Sequence, residues 1–424
     1  MIEKYEVYMD QAILVGLSYK ESTEETEESL NELEHLALAL DIKTKDKVVQ
    51  NAKTISSKYY IGSGKVAEIK TLIQVLDVDI VIFDDTLSPG QLKNLANELE
   101  VQVIDRSFLI LSIFAERAQS KEAVLEVSLA QKMYMLPRLI GMGTSLSRQG
   151  GGSYNAKGPG ETKLELDRRK ILHEISIIRH ELTKIKAEKQ VSRKQRIKSQ
   201  IPVVALVGYT NAGKSSLMNS LSNYLHNTSN PVFEKDMLFV TLDTKAKRLQ
   251  KDNYPPFILI DTVGFINKLP KELLRSFETT LSDVIGANLL LHVVDGAFYN
   301  HYQIDTTKEV LKIIGADQIE RLLVLTKKEI ALTVPPINED YIYVSNRTKE
   351  NIDVLVDAIY GHLYKSNRIQ ILKIPFDQGQ IYSKLKENNT ILETKYDEDG
   401  TSVKVILTPE QTVIYKDYII KKTA

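Results

Sequence analysis

Short apolar runs rich in β-branched residues alternate with helical patterns through the first part of the chain. Residues 12–16, 78–83 and 101–104 predict buried strands, and a helical pattern begins at Gln91 between the last two. The helix after the first strand is predicted from leucines at helical spacing, namely Leu30, Leu33, Leu36 and Leu40. Since apolar runs separated by helices are typical of parallel sheets, residues 1–121 predict an α/β subdomain.

Strand patterns stop in residues 122–199, where two apolar stripes follow helical spacing. The first stripe comprises Val124, Val127 and apolar positions of residues 129–139. The second has coiled-coil spacing and comprises Leu164, Ile171, Ile175, Ile178, Leu182 and Ile185. Glycine is dense between the stripes, at about residues 141–160. The region therefore predicts a long antiparallel helical hairpin with a glycine-rich, basic tip loop.

Alternation of strands and helices resumes in residues 200–365 and begins with an apolar strand and a glycine-containing loop. This region predicts a P-loop G domain with a mostly parallel sheet. Residues 366–424 predict a small αβ C-terminal domain, in which residues 397–400 (Asp-Glu-Asp-Gly) form a hairpin turn. The expected fold is therefore an α/β multidomain protein with four parts.

Composition narrows the class of protein. A chain of 424 residues is expected to form about three domains. Its formal net charge of −1 does not indicate a nucleic-acid binder, so such a role depends on local basic segments. The absence of cysteine excludes disulfides and thiolate metal sites. Residues 1–10 do not resemble a secretory signal and no run of 18 apolar residues occurs, so we expect a cytoplasmic protein without a membrane span. We also expect a monomer.

The most specific chemical motif is a phosphate loop. It follows the apolar strand of residues 203–207 and precedes a helix, which is the setting that the motif requires. We expect Lys214 to bridge the β- and γ-phosphates of a nucleotide, while the hydroxyl of Ser215 binds Mg²⁺. The predicted phosphate-binding residues are Gly208, Tyr209, Thr210, Asn211, Ala212, Gly213, Lys214, Ser215 and Ser216.

Further residues are expected around the magnesium ion and the γ-phosphate. Asp261 ends an apolar strand and can reach Mg²⁺ through water, while Gly264 allows a backbone N–H to approach the γ-phosphate. Thr241 could complete the Mg²⁺ shell only while the γ-phosphate is present, which makes its segment a candidate switch. The alternative is that Thr241 is an ordinary strand threonine.

Two positions concern catalysis. Phe265 stands where many GTPases have a glutamine that orients the attacking water, so unaided turnover should be slow and a partner is needed. Asn211 could hold a potassium ion beside the phosphates, where the ion would supply positive charge to the transition state. The alternative is that Asn211 only supports the geometry of the loop.

A guanine-selecting site is expected after the apolar strand of residues 322–325. The usual pattern is Asn-Lys-x-Asp, whereas this chain has Thr-Lys-Lys-Glu at residues 326–329. Glu329 keeps two acceptor oxygens but places them one methylene further out, so we expect a weakened guanine preference. Alternatively, Glu329 is only a surface residue. The predicted base-binding residues are Thr326, Lys327, Glu329, Ser345 and Asn346.

With these residues in place, the chain resembles the HflX family of translation-associated GTPases. The stretches that carry the resemblance are residues 208–215, 261–266, 289–295, 60–65, 88–91, 103–106, 136–138, 146–152, 158–162 and 374–377. The resemblance implies a two-part N-terminal region, a G domain and a small C-terminal domain. It also implies binding to the rRNA and proteins of the large ribosomal subunit, which stimulates GTP hydrolysis, and splitting of stalled ribosomes.

The predicted hairpin tip is the candidate rRNA contact. Basic residues cluster around it, namely Arg138, Arg148, Lys157, Lys163, Arg168, Arg169 and Lys170. Such residues can bind rRNA phosphates without reading sequence, although a solvated basic face is the alternative. The predicted contacts are Arg148, Ser153, Tyr154, Asn155 and Lys157.

Residues 153–157 depart from the family pattern and add an aromatic side chain. The resemblance implies that the tip lies near the peptidyl-transferase centre, where Tyr154 could stack on a base. Our hypothesis is therefore a divergent member of the antibiotic-resistance type that displaces drugs.

Two other functions stay open. One is an ATP-dependent RNA remodeller, which is favoured if Glu329 does not select guanine. The other is a nucleotide-gated assembly factor of the large subunit. Residues 62–65 (Gly-Ser-Gly-Lys) suggest a second nucleotide site, but their spacing does not fit a phosphate loop and favours a strand-to-helix turn.

Overall fold

The computed structural model describes residues 10–19, 22–146, 163–198, 201–225, 245–252, 254–268, 278–333 and 335–420. The described residues fall into two compact units. Of the described residues, the first unit takes those up to 187 with 266–268 and 278–279, and the second takes 188–198, 201–225, 245–252, 254–265 and those from 280 onward.

The first unit contains a four-stranded parallel sheet. Its elements are β1 (Gln11–Ser18), α1 (Thr23–Leu38), β2 (Lys43–Asn51), α2 (Ser63–Leu76), β3 (Ile80–Phe83), α3 (Pro89–Leu99), β4 (Gln102–Asp105) and α4 (Arg106–Arg117). The strand order is β2-β1-β3-β4, and every pairing is parallel, which confirms the predicted sheet. The sequence pattern did not predict β2, because this strand lies at the edge of the sheet and is rich in lysine, as edge strands often are.

Two long helices follow, α5 (Lys121–Leu146) and α6 (Lys163–Lys198). They run antiparallel, since Lys121 pairs with Glu181 while Lys132, further along α5, pairs with Glu174. Residues of the two predicted stripes form one apolar cluster, which comprises Leu129, Ile175, Ile178 and Leu182. Helix α5 continues to residue 146, five residues beyond the predicted start of the tip loop.

Arg138 does not belong to the basic surface around the tip. Its guanidinium lies 3.4 Å from the ring centroid of Tyr134, pairs with Asp105 at 3.2 Å and donates a hydrogen bond to the carbonyl of Leu87 at 2.8 Å. Arg138 therefore ties α5 to the loop after β3 and to the end of β4.

The second unit contains a six-stranded sheet. Its elements are β5 (Val203–Gly208), α7 (Lys214–Tyr224), β6 (Lys245–Leu249), β7 (Phe257–Asp261), α8 (Glu278–Ile285), β8 (Leu289–Asp295), α9 (His301–Ile313), β9 (Arg321–Thr326), β10 (Tyr341–Tyr343) and α10 (Ile352–Leu363). The strand order is β10-β9-β8-β5-β7-β6, and only the edge strand β6 is antiparallel. β5 and β8 are buried along their whole length, which places the carboxyl end of β5 in the middle of the sheet.

A three-stranded antiparallel sheet completes the second unit. Its elements are β11 (Arg368–Ile374), α11 (Gly379–Asn388), β12 (Ile391–Asp397), β13 (Gly400–Leu407) and α12 (Pro409–Ile414), in the strand order β11-β13-β12. Asp397 pairs with Gly400, which confirms the predicted hairpin turn. Among the described helices of the whole chain, none is long and apolar enough to cross a membrane.

Candidate nucleotide site

The loop between β5 and α7 takes a shape that depends on its glycines. Gly208 has a φ of +146°, and a Cβ atom there would lie 2.1 Å from the carbonyl oxygen of Val293 on β8. Asn211 has a φ of +58° and Gly213 a φ of +86°, immediately before α7 begins at Lys214. Left-handed backbone at these two positions turns successive N–H groups toward one centre, the arrangement that binds phosphate.

Lys214 lies buried beneath this loop, with 7 % of its surface exposed. Its ammonium donates hydrogen bonds to the carbonyl oxygens of Gly208 at 3.0 Å and Tyr209 at 2.6 Å. Burial lowers the pKa of Lys214 to about 8, although the carboxylate of Asp261 opposes the shift. The side chain is thus held at the loop, where a bound phosphate would take over the place of the carbonyl oxygens.

Ser215 and Asp261 supply two oxygen atoms at one point. The hydroxyl of Ser215, in the first turn of α7, donates to Oδ2 of Asp261 at 2.7 Å, and Asp261 ends β7 fully buried. A hydroxyl and a carboxylate are hard oxygen ligands of the kind that Mg²⁺ prefers, so these residues fit the ion that P-loop GTPases generally use. Ser216 lies beside them, half-buried. Thr241, the third predicted ligand, lies outside the described residues.

Residues 264–268, which we call the closing segment, follow β7 after two intervening residues. The N–H of Phe265 donates to the carbonyl of Gly208 at 3.0 Å, and the N–H of Thr210 donates to the carbonyl of Phe265 at 2.8 Å. A Cβ atom on Gly264 would lie 2.8 Å from Cα of Thr210 and 2.9 Å from Nζ of Lys214. The closing segment therefore begins as a backbone strip paired with the phosphate loop, and Gly264 lies directly against Lys214.

Two of the residues predicted to bind the base contact the phosphate loop. The hydroxyl of Thr326, buried at the end of β9, donates to the carbonyl of Ala212 at 2.7 Å. The side-chain amide of Asn346 lies 3.4 Å from the carbonyl of Gly213. Both side chains therefore stabilise the phosphate loop. Thr326 does so through its single hydroxyl.

The remaining predicted base contacts lie near the ends of β8 and β9. Lys327 has a φ of +59°, and its ammonium pairs with Asp295 at 2.8 Å. Glu329 is exposed, in a short 3₁₀ helix of residues Lys328–Ile330. Ser345 is buried, and its hydroxyl accepts a hydrogen bond from the backbone of Thr348 at 2.9 Å. Asp295, which pairs with Lys327, was not predicted as a site residue. It is the last residue of β8, just as Asp261 is the last residue of β7.

The predicted rRNA contacts are not part of this geometry. Arg148, Ser153, Tyr154, Asn155 and Lys157 all lie outside the described residues.

Three family models match successive parts of the chain. Residues 27–115 match a model described as the N-terminal region of GTP-binding GTPases, and residues 117–196 match the middle region of such GTPases. Residues 203–327, which contain the phosphate loop, match a model described as a 50S ribosome-binding GTPase.

Whole-chain relatives decide the family. A GTPase HflX from Caldanaerobacter subterraneus subsp. tengcongensis is 42 % identical over 412 residues, which cover 97 % of this chain and 94 % of that protein. The chain belongs to the HflX family of GTPases. The HflX of Escherichia coli K12 is 35 % identical over 95 % of this chain and 94 % of its own. The resemblance read from the motifs is thus confirmed, and the chain is a GTPase.

A solved structure is also similar to this HflX-family chain. It is a GTP-binding protein from the hyperthermophilic archaeon Sulfolobus solfataricus in complex with GDP, 24 % identical, with a TM-score of 0.42. The match covers 84 % of this chain and 99 % of that one.

Proposed function

We propose that this HflX-family GTPase binds the large ribosomal subunit and splits stalled ribosomes. The observation that carries the proposal is the match of residues 203–327 to a 50S ribosome-binding GTPase. The site geometry supports a need for a partner, because a buried Phe265 pairs with the phosphate loop and brings no polar side chain to orient water. In this proposal the chain is a cytoplasmic, ribosome-associated monomer.

Each of the four domains predicted from the sequence has its own role in this proposal. Residues 1–121 and the hairpin of residues 122–199 form the ribosome-facing region, residues 200–365 hydrolyse GTP, and residues 366–424 form the C-terminal domain. The hairpin tip reaches rRNA near the peptidyl-transferase centre. We take its contacts to be Arg148, Ser153, Tyr154, Asn155 and Lys157.

Within the G domain, we assign a role to each predicted residue. Lys214 bridges the β- and γ-phosphates, and Ser215, Thr241 and Asp261 hold Mg²⁺. Thr326 and Asn346 hold the phosphate loop in shape for the nucleotide. The residues assigned to the base are Thr326, Lys327, Glu329, Ser345 and Asn346.

Asn211 is proposed as a potassium ligand at the same loop. Asn211 has a left-handed backbone conformation and an exposed side chain, so its amide carbonyl is accessible to an ion. A potassium ion there would add positive charge beside the phosphates.

The test of the ribosomal assignment is GTP turnover with purified large and small subunits added separately. We expect the large subunit to raise turnover strongly and the small subunit to have little effect. No stimulation by the large subunit would remove the assignment. Dissociation of intact 70S ribosomes, with and without GTP, then separates a splitting factor from an assembly factor.

Drug displacement is a narrower proposal that rests on Tyr154. If its ring stacks on a base near the peptidyl-transferase centre, cells that express Tyr154→Ala should lose any drug resistance conferred by the wild type. Tyr396→Ala, at a 72 % exposed tyrosine of β12, is the control. Equal resistance of wild type and Tyr154→Ala would refute the idea.

A further inference from the structure

An ion pair between Asp295 and Lys327 joins the ends of two neighbouring strands in the sheet of the G domain. Asp295 is the last residue of β8, and Lys327 directly follows β9. The ammonium of Lys327 lies 2.8 Å from Oδ2 of Asp295, and the two side chains are 21 % and 9 % exposed, respectively. Asp295 is in register with Thr326, so the side chain of Lys327 reaches from the end of β9 to the end of β8.

The carboxylate of Asp295 is fixed by the backbone that follows it. Its Oδ1 accepts hydrogen bonds from the N–H groups of Ala297 and Phe298, both at 3.0 Å. Its Oδ2 is the atom that pairs with Lys327. Because two donors hold Oδ1, rotation of the carboxylate is restricted and Oδ2 stays in one place. Asp295 is therefore a fixed anchor for the ammonium.

The ring of Tyr343 supports the same short loop. A Cβ atom on Gly296 would lie 2.6 Å from Cε2 and 2.8 Å from the hydroxyl oxygen of Tyr343, so the ring fills the space beside this glycine. Burial raises the pKa of Tyr343, and the negative charges of Asp295 and Glu329 raise it further. The ring therefore restricts movement of the backbone that holds Asp295.

The backbone of Lys327 is also held in one conformation. Its φ is +59°, in the left-handed region that disfavours a residue with a Cβ atom. Its carbonyl accepts a hydrogen bond from the N–H of Ile330 at 3.1 Å, and the N–H of Lys328 donates to the carbonyl of Val344 at 3.3 Å. With its backbone and its ammonium both fixed, the alkyl stem of Lys327 has few conformations left.

The preceding residue connects this lysine to the phosphate loop. The hydroxyl of Thr326 lies 2.7 Å from the carbonyl oxygen of Ala212 and 3.2 Å from that of Val294. The stem of Lys327 thus begins one residue away from a direct contact with the phosphate loop. A lysine can cover an apolar surface with its stem while its ammonium stays in a polar contact, and the face of a purine ring is such a surface.

We propose that Asp295 is a positioning residue of the nucleotide site, which holds the ammonium of Lys327 so that the alkyl stem forms a preset surface for the face of the purine ring. The inference rests on the assignment of Lys327 to the base in the proposed function. Because the stem contacts the face of the ring and not its hydrogen-bonding edge, it supports guanine and adenine equally. Selection between the two bases is left to Glu329.

The first test is Asp295→Asn, which keeps a side-chain oxygen for the N–H groups of Ala297 and Phe298 and removes the charge that faces Lys327. We expect the Kd values of GDP and ADP to rise by the same factor, about three- to tenfold, because the lysine must then be ordered by the nucleotide. Competition against a fluorescent GDP analogue measures both. Asp305→Asn, at an exposed position of α9, is the matched control and should bind both nucleotides as the wild type does. Wild-type GDP affinity in Asp295→Asn would overturn the proposal.

A second readout separates positioning of the base from support of the fold. Inorganic pyrophosphate with Mg²⁺ is a probe that can occupy the phosphate loop without a base. Its affinity should be the same in Asp295→Asn and in the wild type. An equal loss of affinity for pyrophosphate and GDP would show that Asp295 acts on the phosphate loop, which contradicts the proposal.

Lys327→Ala distinguishes a failure of this inference from a failure of the base assignment. This variant removes the stem and should weaken GDP binding more than Asp295→Asn does. Wild-type GDP affinity in Lys327→Ala would refute the assignment of Lys327 to the base. A clear loss there, together with wild-type affinity in Asp295→Asn, would overturn the positioning role alone.

The double variant Asp295→Asn/Lys327→Ala shows whether Asp295 acts through the lysine. Residues that act through one contact give losses that do not add. The double variant should therefore bind GDP as Lys327→Ala does. Losses that multiply would contradict a role through Lys327.

Lys327→Met breaks the same ion pair from the other side and guards against a folding defect in Asp295→Asn. It removes the ammonium and keeps an unbranched, apolar side chain. Its GDP affinity should lie between those of the wild type and Lys327→Ala, with unchanged affinity for pyrophosphate. Wild-type GDP affinity in a folded Lys327→Met protein would count against the positioning role.

Discussion

One parallel sheet and one mostly parallel sheet suit ligands of opposite charge at the carboxyl ends of their strands. At the end of β5, glycines and the first turn of α7 present backbone N–H groups and Lys214, a site that suits an anion. At the ends of β3 and β4, Asp84, Asp85 and Asp105 face Arg106, Arg138 and Lys268, a site that suits cations. The same position in the fold therefore serves phosphate in one sheet and side-chain ammonium or guanidinium in the other.

The difference lies in which part of the chain makes the site. The anion site is built mainly from backbone, so it depends on φ angles that only a few residue types allow, as at Gly208 and Gly213. The cation site is built from side chains that are distant in sequence and depends on mutual neutralisation. We therefore expect substitutions at the first site to change nucleotide binding and substitutions at the second to change stability.

The largest effect is expected from the loss of Arg106, which should lower the stability of the fold. Arg106→Met removes the charge that faces Asp84 and Glu32, and breaking a buried ion pair by removing one partner costs about 3–5 kcal/mol of stability. Urea denaturation followed by far-UV circular dichroism measures this loss. Lys45→Met, at an exposed position of β2, should stay within about 0.5 kcal/mol of the wild type.

GDP binding by folded Arg106→Met should stay close to that of the wild type, since the phosphate loop belongs to the other sheet. An equal loss of stability and of GDP affinity per folded molecule would show that the two sites are not separable in this way.

The next effect is expected at Lys214. Lys214→Ala removes the buried ammonium, and each hydrogen bond to a charged group contributes about 1.5–3 kcal/mol, so affinity for GDP and GTP should fall by at least about 100-fold. Isothermal titration calorimetry measures both affinities. Lys312→Ala on α9 is the control and should bind nucleotide as the wild type does. Tight GTP binding by Lys214→Ala would refute the assignment of the phosphate site.

Sequence reasoning found the anion site because its signal is local. Eight neighbouring residues with fixed glycine spacing after an apolar strand determine the loop, and the structure places Lys214, Ser215 and Asp261 together as the pattern indicates. The buried strands were also predictable from continuous apolar runs. Strands β2 and β6 were not, because both are polar edge strands whose partners determine their conformation.

The cation site could not be predicted, because its members are not related by any short spacing. Asp84 and Lys268 are 184 residues apart, and neither a charge run nor an apolar period indicates that they meet. Arg138 illustrates the same limit: composition placed it with the basic residues near the tip, whereas its contact with Asp105 is a tertiary one. Thr326 was found because it follows an apolar run, but its contact with Ala212 could be seen only in the structure.

A smaller effect is expected at Gly264, the point where the closing segment lies on the anion site. In Gly264→Ala, the new Cβ atom would lie 2.8 Å from backbone Cα of Thr210, so the segment must shift. We expect GTP turnover to fall by about 10- to 100-fold, with a smaller change in GDP affinity. Gly361→Ala is the matched control, because a Cβ atom on this residue of α10 meets nothing within 4 Å. Equal turnover in the two variants would remove the closing segment from the reaction.

The smallest effect is expected at Glu329, where substitutions test how strongly the nucleotide site prefers guanine. Glu329 is exposed in its short 3₁₀ helix, and its carboxylate lies one methylene further from the backbone than the aspartate of the usual pattern. Glu329→Asp should raise the preference for GTP over ATP by about two- to tenfold, since hydrogen bonds from the guanine edge to a better-placed carboxylate are charge-assisted. Glu329→Ala should lower the preference by a similar factor.

Competition of GTP and ATP against a fluorescent GDP analogue measures the preference of both variants, with Glu350→Ala as a control on the neighbouring loop. If neither Glu329 variant changes the ratio, guanine is selected by groups other than this carboxylate. The base site then resembles the cation site, because both depend on contacts that spacing does not reveal.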